Sequence, residues 1–297
     1  MTLNFRIWDE QTYVDRRLRE FENFEGNKAT AYGDTVGIVT IGIGLNMRVQ
    51  SNRVIIYELF GIGVSESNSN GSDTRTYRER LKEVLIADWT ALPGESETDR
   101  DFRLQAALDS IMQERYDNLS EAEKLTARNT FSLTSTEIEA TFAERIKAYE
   151  QIITNTFSWL DNGPERLALL SLCYNGVLGS NLISAVNEDN RALSWYEIRY
   201  NSNGGSSASN GIANRRNAES DLFGLFNEVN DKECRDAYIM YRDKKDILHT
   251  YEQKYAAVFN SSNSIQTQLS PATEYLNNVY SLPLGGAKYN WNERKAA

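Results

Sequence analysis

Glu25, Asp34 nine positions on and Thr40 six further bring two carboxyl groups and a hydroxyl into one short stretch of this chain. Inverting glycoside hydrolysis needs such a set: one carboxylic acid protonates the leaving oxygen, and a second carboxylate activates water about 6.5 to 9.5 Å away. Glu25 suits the acid role, because partial burial beside Phe21 and Phe24 favours a protonated carboxyl. Asp34, in a turn open to solvent, suits the base, and Thr40 can share the water through its hydroxyl. Each residue also has a plainer reading. Asp34 and Gly37 fit the first and fourth positions of a type I turn, Glu25 follows Glu20 and Glu22 as a solvated helix-end charge, and Thr40 is an ordinary strand residue. Gly42-Ile43-Gly44 is no nucleotide loop, since Met47 occupies the third glycine's place and no P-loop lysine-serine follows.

The elements around these residues are legible from periodicity. Val14, Leu18, Phe21 and Phe24 recur at helical intervals, and Gly26 supplies a C-cap, so a helix delivers Glu25 at its end. Tyr32 to Gly37 contains a turn, flanked by strands and followed by a third short strand. Alternation sets Thr40, Gly42 and Gly44 on one face and Ile41, Ile43 and Leu45 on the other. Helices are expected at 53–60, 77–89, 101–116 and 120–129, with a Gly/Ser/Asn-rich loop over 61–73. Thr134 and Glu137 have capping-box spacing ahead of a long helix marked by Ile138, Phe142, Ile146, Tyr149 and Ile153. Residues 167–174 are apolar nearly all round, as in a helix buried in a bundle. A flexible loop over 201–210, a strong helical pattern over 232–259 and a loose polar tail over 260–297 complete the chain. The class is α+β: a small N-terminal β-hairpin lobe, a mainly helical C-terminal lobe and a helical insertion. The expected divisions are 1–50, 51–131, 132–230 and 231–297.

Composition narrows the function. With 32 Lys plus Arg against 42 Asp plus Glu, the net charge is −10. No basic block offers to neutralise a phosphate backbone, so nucleic acid is not an expected partner. One histidine, His249, leaves little for a zinc site, and no metal or other cofactor is expected. Cys173 and Cys234 read as free thiols. No apolar run reaches the ~18 to 20 residues of a membrane span, and residues 1–20 are too charged for a secretory leader. A monomer without membrane insertion is expected.

The run Glu25-Gly-(seven residues)-Asp34-Thr-Val-Gly-Ile-Val-Thr40-Ile-Gly-Ile-Gly resembles the catalytic stretch of the phage-type lysozymes, the family of T-even phage lysozyme and pesticin. The resemblance extends more weakly to 133–160 as the interlobe helix, 166–176 as the central buried helix and Asn214-Arg215-Arg216 as the late arginine motif. It implies a lysozyme-like fold and a cofactor-free muramidase that cuts the β-1,4 bond between N-acetylmuramic acid and N-acetylglucosamine in peptidoglycan. On this match Glu25 is the general acid, and Asp34 and Thr40 position the attacking water. Arg215 is the family arginine that pairs with the catalytic glutamate, although an ion pair with Glu219 at i,i+4 accounts for it equally well. Asn175 falls at the family's cleft-lining amide, and also reads as a helix-end residue. Tyr32 and Asn46 are candidates to line the sugar cleft; Tyr32 is as readily hairpin packing. Trp195 and Tyr196 read as core. Leu45 stands where the T-even enzyme has a histidine, so that histidine's ion pair is missing, and residues 50–131 exceed what the compact family needs.

Two other readings stay open: a lytic transglycosylase, which needs the glutamate but no water-activating base, and a non-catalytic wall-binding or phage-structural module. The implied partner is the peptidoglycan glycan strand. A protein made in the cytoplasm without a leader must reach the periplasm or wall by holin, phage particle or secretion system, as an endolysin or an antibacterial effector. For an effector, a cognate immunity protein is expected.

Overall fold

The computed structural model describes residues 5–67, 73–203 and 209–280. The fold is α+β, mainly helical, with one small antiparallel sheet. Contacts divide the chain into two compact units, Leu18–Lys147 and Met1–Arg17 with Ala148–Ala297. The first unit therefore contains both the hairpin and the long segment over 51–131.

Helix α1, Glu10–Glu25, begins where the Asp9 carboxylate accepts from the Thr12 amide at 2.9 Å and the Thr12 hydroxyl at 2.6 Å. These bonds hold Asp9 below the usual carboxylate range. The helix stops at Gly26, whose φ of 77° and amide bond to the Glu22 carbonyl make the expected C-cap. Three strands follow in the order β1 Lys28–Gly33, β2 Val39–Gly42 and β3 Leu45–Asn46. The register sets Tyr32 opposite Thr40 and Thr40 opposite Asn46. Ile41, Ile43 and Leu45 are fully buried. Gly44, expected on a strand face, instead belongs with Ile43 to the turn between β2 and β3. Positive φ at both Gly42 and Gly44 bends the chain out of the extended conformation there.

The 51–131 segment braces this sheet. Helix α2 spans Gln50–Leu59 and α3 spans Tyr77–Ile86, the latter started by a reciprocal Thr76–Glu79 capping box. Helix α4, Glu97–Asp117, lies along the outer edge of β1 and satisfies it with side chains. Gln105 Oε1 accepts from the Ala31 amide at 3.1 Å, and Asp101 Oδ1 from the Gly33 amide at 3.0 Å. The buried Arg100 guanidinium donates to the Gly33 carbonyl at 2.5 Å and to the Asp34 carbonyl at 3.3 Å. These side chains, together with an isolated antiparallel bridge between Thr30 and Ser132 and the Leu133 amide donating to the Ala29 carbonyl at 2.8 Å, close the edge strand. The expected 120–129 helix is only the four-residue α5, Glu121–Lys124, after a Ser120–Glu123 capping box. Leu125 then lies exposed, so no apolar face carries the helix further. The Thr134–Glu137 capping box starts α6, Ser135–Thr156, which packs Phe142 against Phe21 at 5.1 Å between ring centres.

The other unit is helical. In α7, Pro164–Tyr174, residues from Pro164 to Leu172 are buried, as expected for a central helix. Helices α8, Ser180–Asn187, and α9, Arg191–Tyr196, follow, and α9 runs into a π-helical turn at Glu197–Asn201. Trp195 and Tyr196 are core residues. Helices α10, Asn210–Phe223, and α11, Asp231–Lys254, complete the bundle. The tail is a correction: α12, Ile265–Gln268, and α13, Ser270–Tyr280, are folded and bury Ile265, Leu269, Ala272 and Leu276. Ala272 and Leu276 pack on the buried Cys234, whose thiol is pushed up to about 11 by burial. Cys173 and Cys234 are both free thiols. Parts of three expected segments, 68–72 and 204–208 in loops and 281–297 in the tail, lie outside the described residues.

Candidate active site

Glu25, Tyr32, Asp34, Thr40 and Asn46 all fall in the Leu18–Lys147 unit. Glu25 is half-buried on the last turn of α1. Its side chain lies flat on Gly44: a Cβ built at Gly44 would stand 2.8 Å from Glu25 Oε2 and 3.0 Å from its Cβ and Cγ. The glycine serves two needs at once, a φ of 65° in the turn and room for the carboxyl.

Asp34 sits at the hairpin corner. Its Oδ1 accepts from the Val36 amide at 2.9 Å and the Ile38 amide at 2.8 Å, and its carbonyl accepts from the Gly37 amide at 3.0 Å. The turn chemistry is therefore real, and it uses one carboxylate oxygen; none of these bonds falls on Oδ2. Residues of the 51–131 segment fix this corner, with the Trp89 amide donating to the Gly37 carbonyl at 2.9 Å.

Tyr32, Thr40 and Asn46 form one row across the sheet, because directly paired antiparallel residues share a face. Thr40 is 7% exposed, and its hydroxyl donates to the Ile38 carbonyl at 3.3 Å. Asn46 Oδ1 accepts from the Arg48 amide at 2.8 Å. Burial first, and then the negative charges of Glu25, Asp34 and Asp101, push the Tyr32 hydroxyl up to about 12. One phenol thus stands within electrostatic reach of both candidate carboxylates. It keeps its proton through the neutral range and can donate a hydrogen bond there.

Alkaline stability should register that environment. Folded Tyr32 ionises near 12 and an unfolded tyrosine near 10, so above pH 10 the unfolded chain loses its proton first. The contribution is flat below pH 10, and stability falls as pH rises from 10 to 12. Tyr57 and Tyr251, also held up to about 12, act in the same direction. A Tyr32→Phe variant should lose about 1 kcal/mol less than wild type between pH 9 and pH 11.5, a figure below the full two-unit equivalent because the phenol is partly solvated. Urea unfolding at the two pH values measures it, and an identical loss in both proteins would refute the described surroundings of Tyr32.

Asn175 and Arg215 come together in the second unit. With its amide oxygen turned toward Arg215, Asn175 accepts from Nη1 at 2.7 Å and Nη2 at 3.2 Å. Arg215 Nε donates to Glu219 at 3.0 Å and Nη2 to the Ser171 hydroxyl at 3.2 Å. The i,i+4 pair with Glu219 is therefore present, and Glu219 also takes Arg216 and the Ser171 hydroxyl. Asn175 is the C-cap residue of α7, as its second reading had it.

The residues that hold the site carry no motif of their own. Gly44, which alternation sets on a strand face with Thr40 and Gly42, makes room for Glu25. Arg100, Asp101 and Gln105 help carry the edge of β1, and no local sequence pattern marks that role. Among the described residues no cluster of three or more His, Cys, Asp or Glu side chains could hold a metal ion, and no helix is long and apolar enough to cross a membrane. The chain matches no protein-family model, no curated protein and no solved structure.

Proposed function

We propose that this protein is an inverting peptidoglycan hydrolase, an N-acetylmuramidase with a lysozyme-like arrangement of helix and hairpin. The observation that carries the reading is the grouping of Glu25 and Asp34 about the Tyr32 phenol, in the stretch whose sequence resembles the phage-type lysozymes. Glu25, seated on Gly44, donates its proton to the glycosidic oxygen. Asp34 keeps its turn with Oδ1, and Oδ2 orients the attacking water with the Thr40 hydroxyl. Tyr32 and Asn46 flank Thr40 as sugar contacts. No cofactor enters the reaction.

The substrate places the site of action in the periplasm or on the wall, after release by a holin, a phage particle or a secretion system; as an effector, the protein would need an immunity protein in its producer. The test is digestion of purified sacculi by wild type beside Glu25→Gln. New reducing N-acetylmuramic ends from wild type alone support the reading. Anhydro ends would make the protein a lytic transglycosylase. Binding to sacculi without cleavage by either protein would make it a wall-binding module.

The seat of Glu25 gives a second test. Gly44→Ala should cost about 1 to 2 kcal/mol through its left-handed backbone. It should also lower the hydrolysis rate by roughly 10²-fold, because a displacement of about 1 Å suffices for such a loss. Urea unfolding and initial rates measure the two effects, and an unchanged rate would show that Gly44 does not position the acid.

A further inference from the structure

Seven arginines among the described residues are buried, and six of them face a carboxylate: Arg100 on Asp101, Arg115 on Glu66, Arg166 on Glu150, Arg191 on Glu165, Arg199 on Asp221 and Arg216 on Glu219. Arg53 is the exception. It is 7% exposed, and its Nη1 donates to the main-chain carbonyls of Met47 at 2.6 Å and Arg48 at 2.8 Å. Those carbonyls satisfy hydrogen bonds but leave the charge without a counter-ion, and a buried charge is costly until one is supplied.

Arg53 lines a cleft of about 240 Å³ between α2 and α3, together with Tyr57, Arg78 and Lys82. Arg78 uses Nε on the Ile62 carbonyl at 2.8 Å and lies over the Tyr57 ring at 5.4 Å. Neither the terminal nitrogens of Arg78 nor Nζ of Lys82 has a hydrogen-bond or ion-pair partner among the described residues. The one acidic residue lining the cleft, Glu79, has Oε2 committed to the Thr76 amide at 2.8 Å and hydroxyl at 3.0 Å. Three cations thus converge on one concavity with a local charge of 3 − 1 = +2, in a chain whose net charge is −10. The volume lies below the ~300 to 1,000 Å³ of a typical small-molecule pocket, so it suits a charged group rather than a whole cofactor.

We propose that the Arg53–Arg78–Lys82 cleft is a binding site for an oxyanion, a phosphoryl or carboxylate group carried on a larger molecule. Two guanidinium groups supply directional donors for its oxygens and Lys82 a mobile point charge, with Tyr57 as the aromatic wall beneath Arg78. The site is separate from the grouping of Glu25 and Asp34, and it stands or falls independently of the hydrolase reading.

The test uses the full-length protein, with arginine side-chain NMR signals followed at constant ionic strength as inorganic phosphate or acetate is added. Saturable shifts of the Arg53 and Arg78 signals are expected. Affinity should fall at least tenfold in an Arg78→Gln/Lys82→Gln variant and several-fold in Lys82→Gln alone. Arg235→Gln, which removes an exposed cation paired with Asp231 on α11, should leave affinity unchanged. Tighter binding of phosphate assigns a phosphoryl ligand, and equal or tighter binding of acetate a carboxylate. Shifts that grow linearly without saturation, or an equal loss in Arg235→Gln, would overturn the proposal. Glu25→Gln should bind phosphate as wild type does, so failure here and failure of the hydrolase reading give different results.

Discussion

Glu25→Gln should fold as wild type does and lose peptidoglycan hydrolysis by roughly 10² to 10⁴-fold, the range attributable to a positioned general acid. The substitution keeps the side-chain length, so the contact with Gly44 persists and the turn between β2 and β3 is not disturbed. What it removes is the ionisable proton. The rate should fall while the unfolding free energy from urea titration stays within about 0.5 kcal/mol of wild type, as for a substitution that leaves packing alone. A variant that still cleaves at more than a tenth of the wild-type rate would remove Glu25 from the acid role.

The second large effect separates the two readings of Asp34. Asp34→Asn retains Oδ1, and with it the bonds from the Val36 and Ile38 amides that hold the corner. It discards the negative charge that would orient water. Stability should therefore be nearly unchanged, and hydrolysis should fall by roughly 10²-fold or more. Asp34→Ala removes the turn acceptor as well. That variant should lose about 1 to 3 kcal/mol, since two amides forfeit their partner, in addition to the activity. Were Asp34 a turn residue alone, Asp34→Asn would remain fully active while Asp34→Ala lost only stability. Rates on sacculi and urea unfolding of the two variants decide between these outcomes.

Local chemistry made much of the scaffold legible. Gly26 ends α1 because a left-handed residue closes a helix cheaply, and Thr134 starts α6 because Glu137 three positions on completes the reciprocal bonds. The strand pattern around Thr40 fixes which residues share a face, and so places Tyr32, Thr40 and Asn46 in one row. The bracing of the hairpin was not legible. Asp101 meets Gly33 from 68 positions away, and Gln105 meets Ala31 from 74, so no local pattern announces either bond. Gly44 does not lie on a strand face because alternation ends with β2 at Gly42, whose positive φ turns the chain two residues earlier. The segment over 265–280 looked loose because Pro271 interrupts its polar run. The proline instead stands in the first turn of α13, where a missing amide proton costs nothing, and Leu269, Ala272 and Leu276 continue the buried face across it. In the same way the end of α5 depended on Leu125 finding no partner, which periodicity does not report.

In the proposed reaction Glu25 protonates the bridging oxygen while Asp34 and Thr40 direct water to the opposite face of the sugar. Inversion at the anomeric carbon follows from that geometry, because no covalent intermediate intervenes. Proton NMR of the muramyl products in the first minutes of digestion, before the anomers equilibrate, reads this directly. The newly formed reducing ends should appear first as the α-anomer, with the β-anomer growing in only by mutarotation. First appearance of the β-anomer, or of a 1,6-anhydro end, would contradict it.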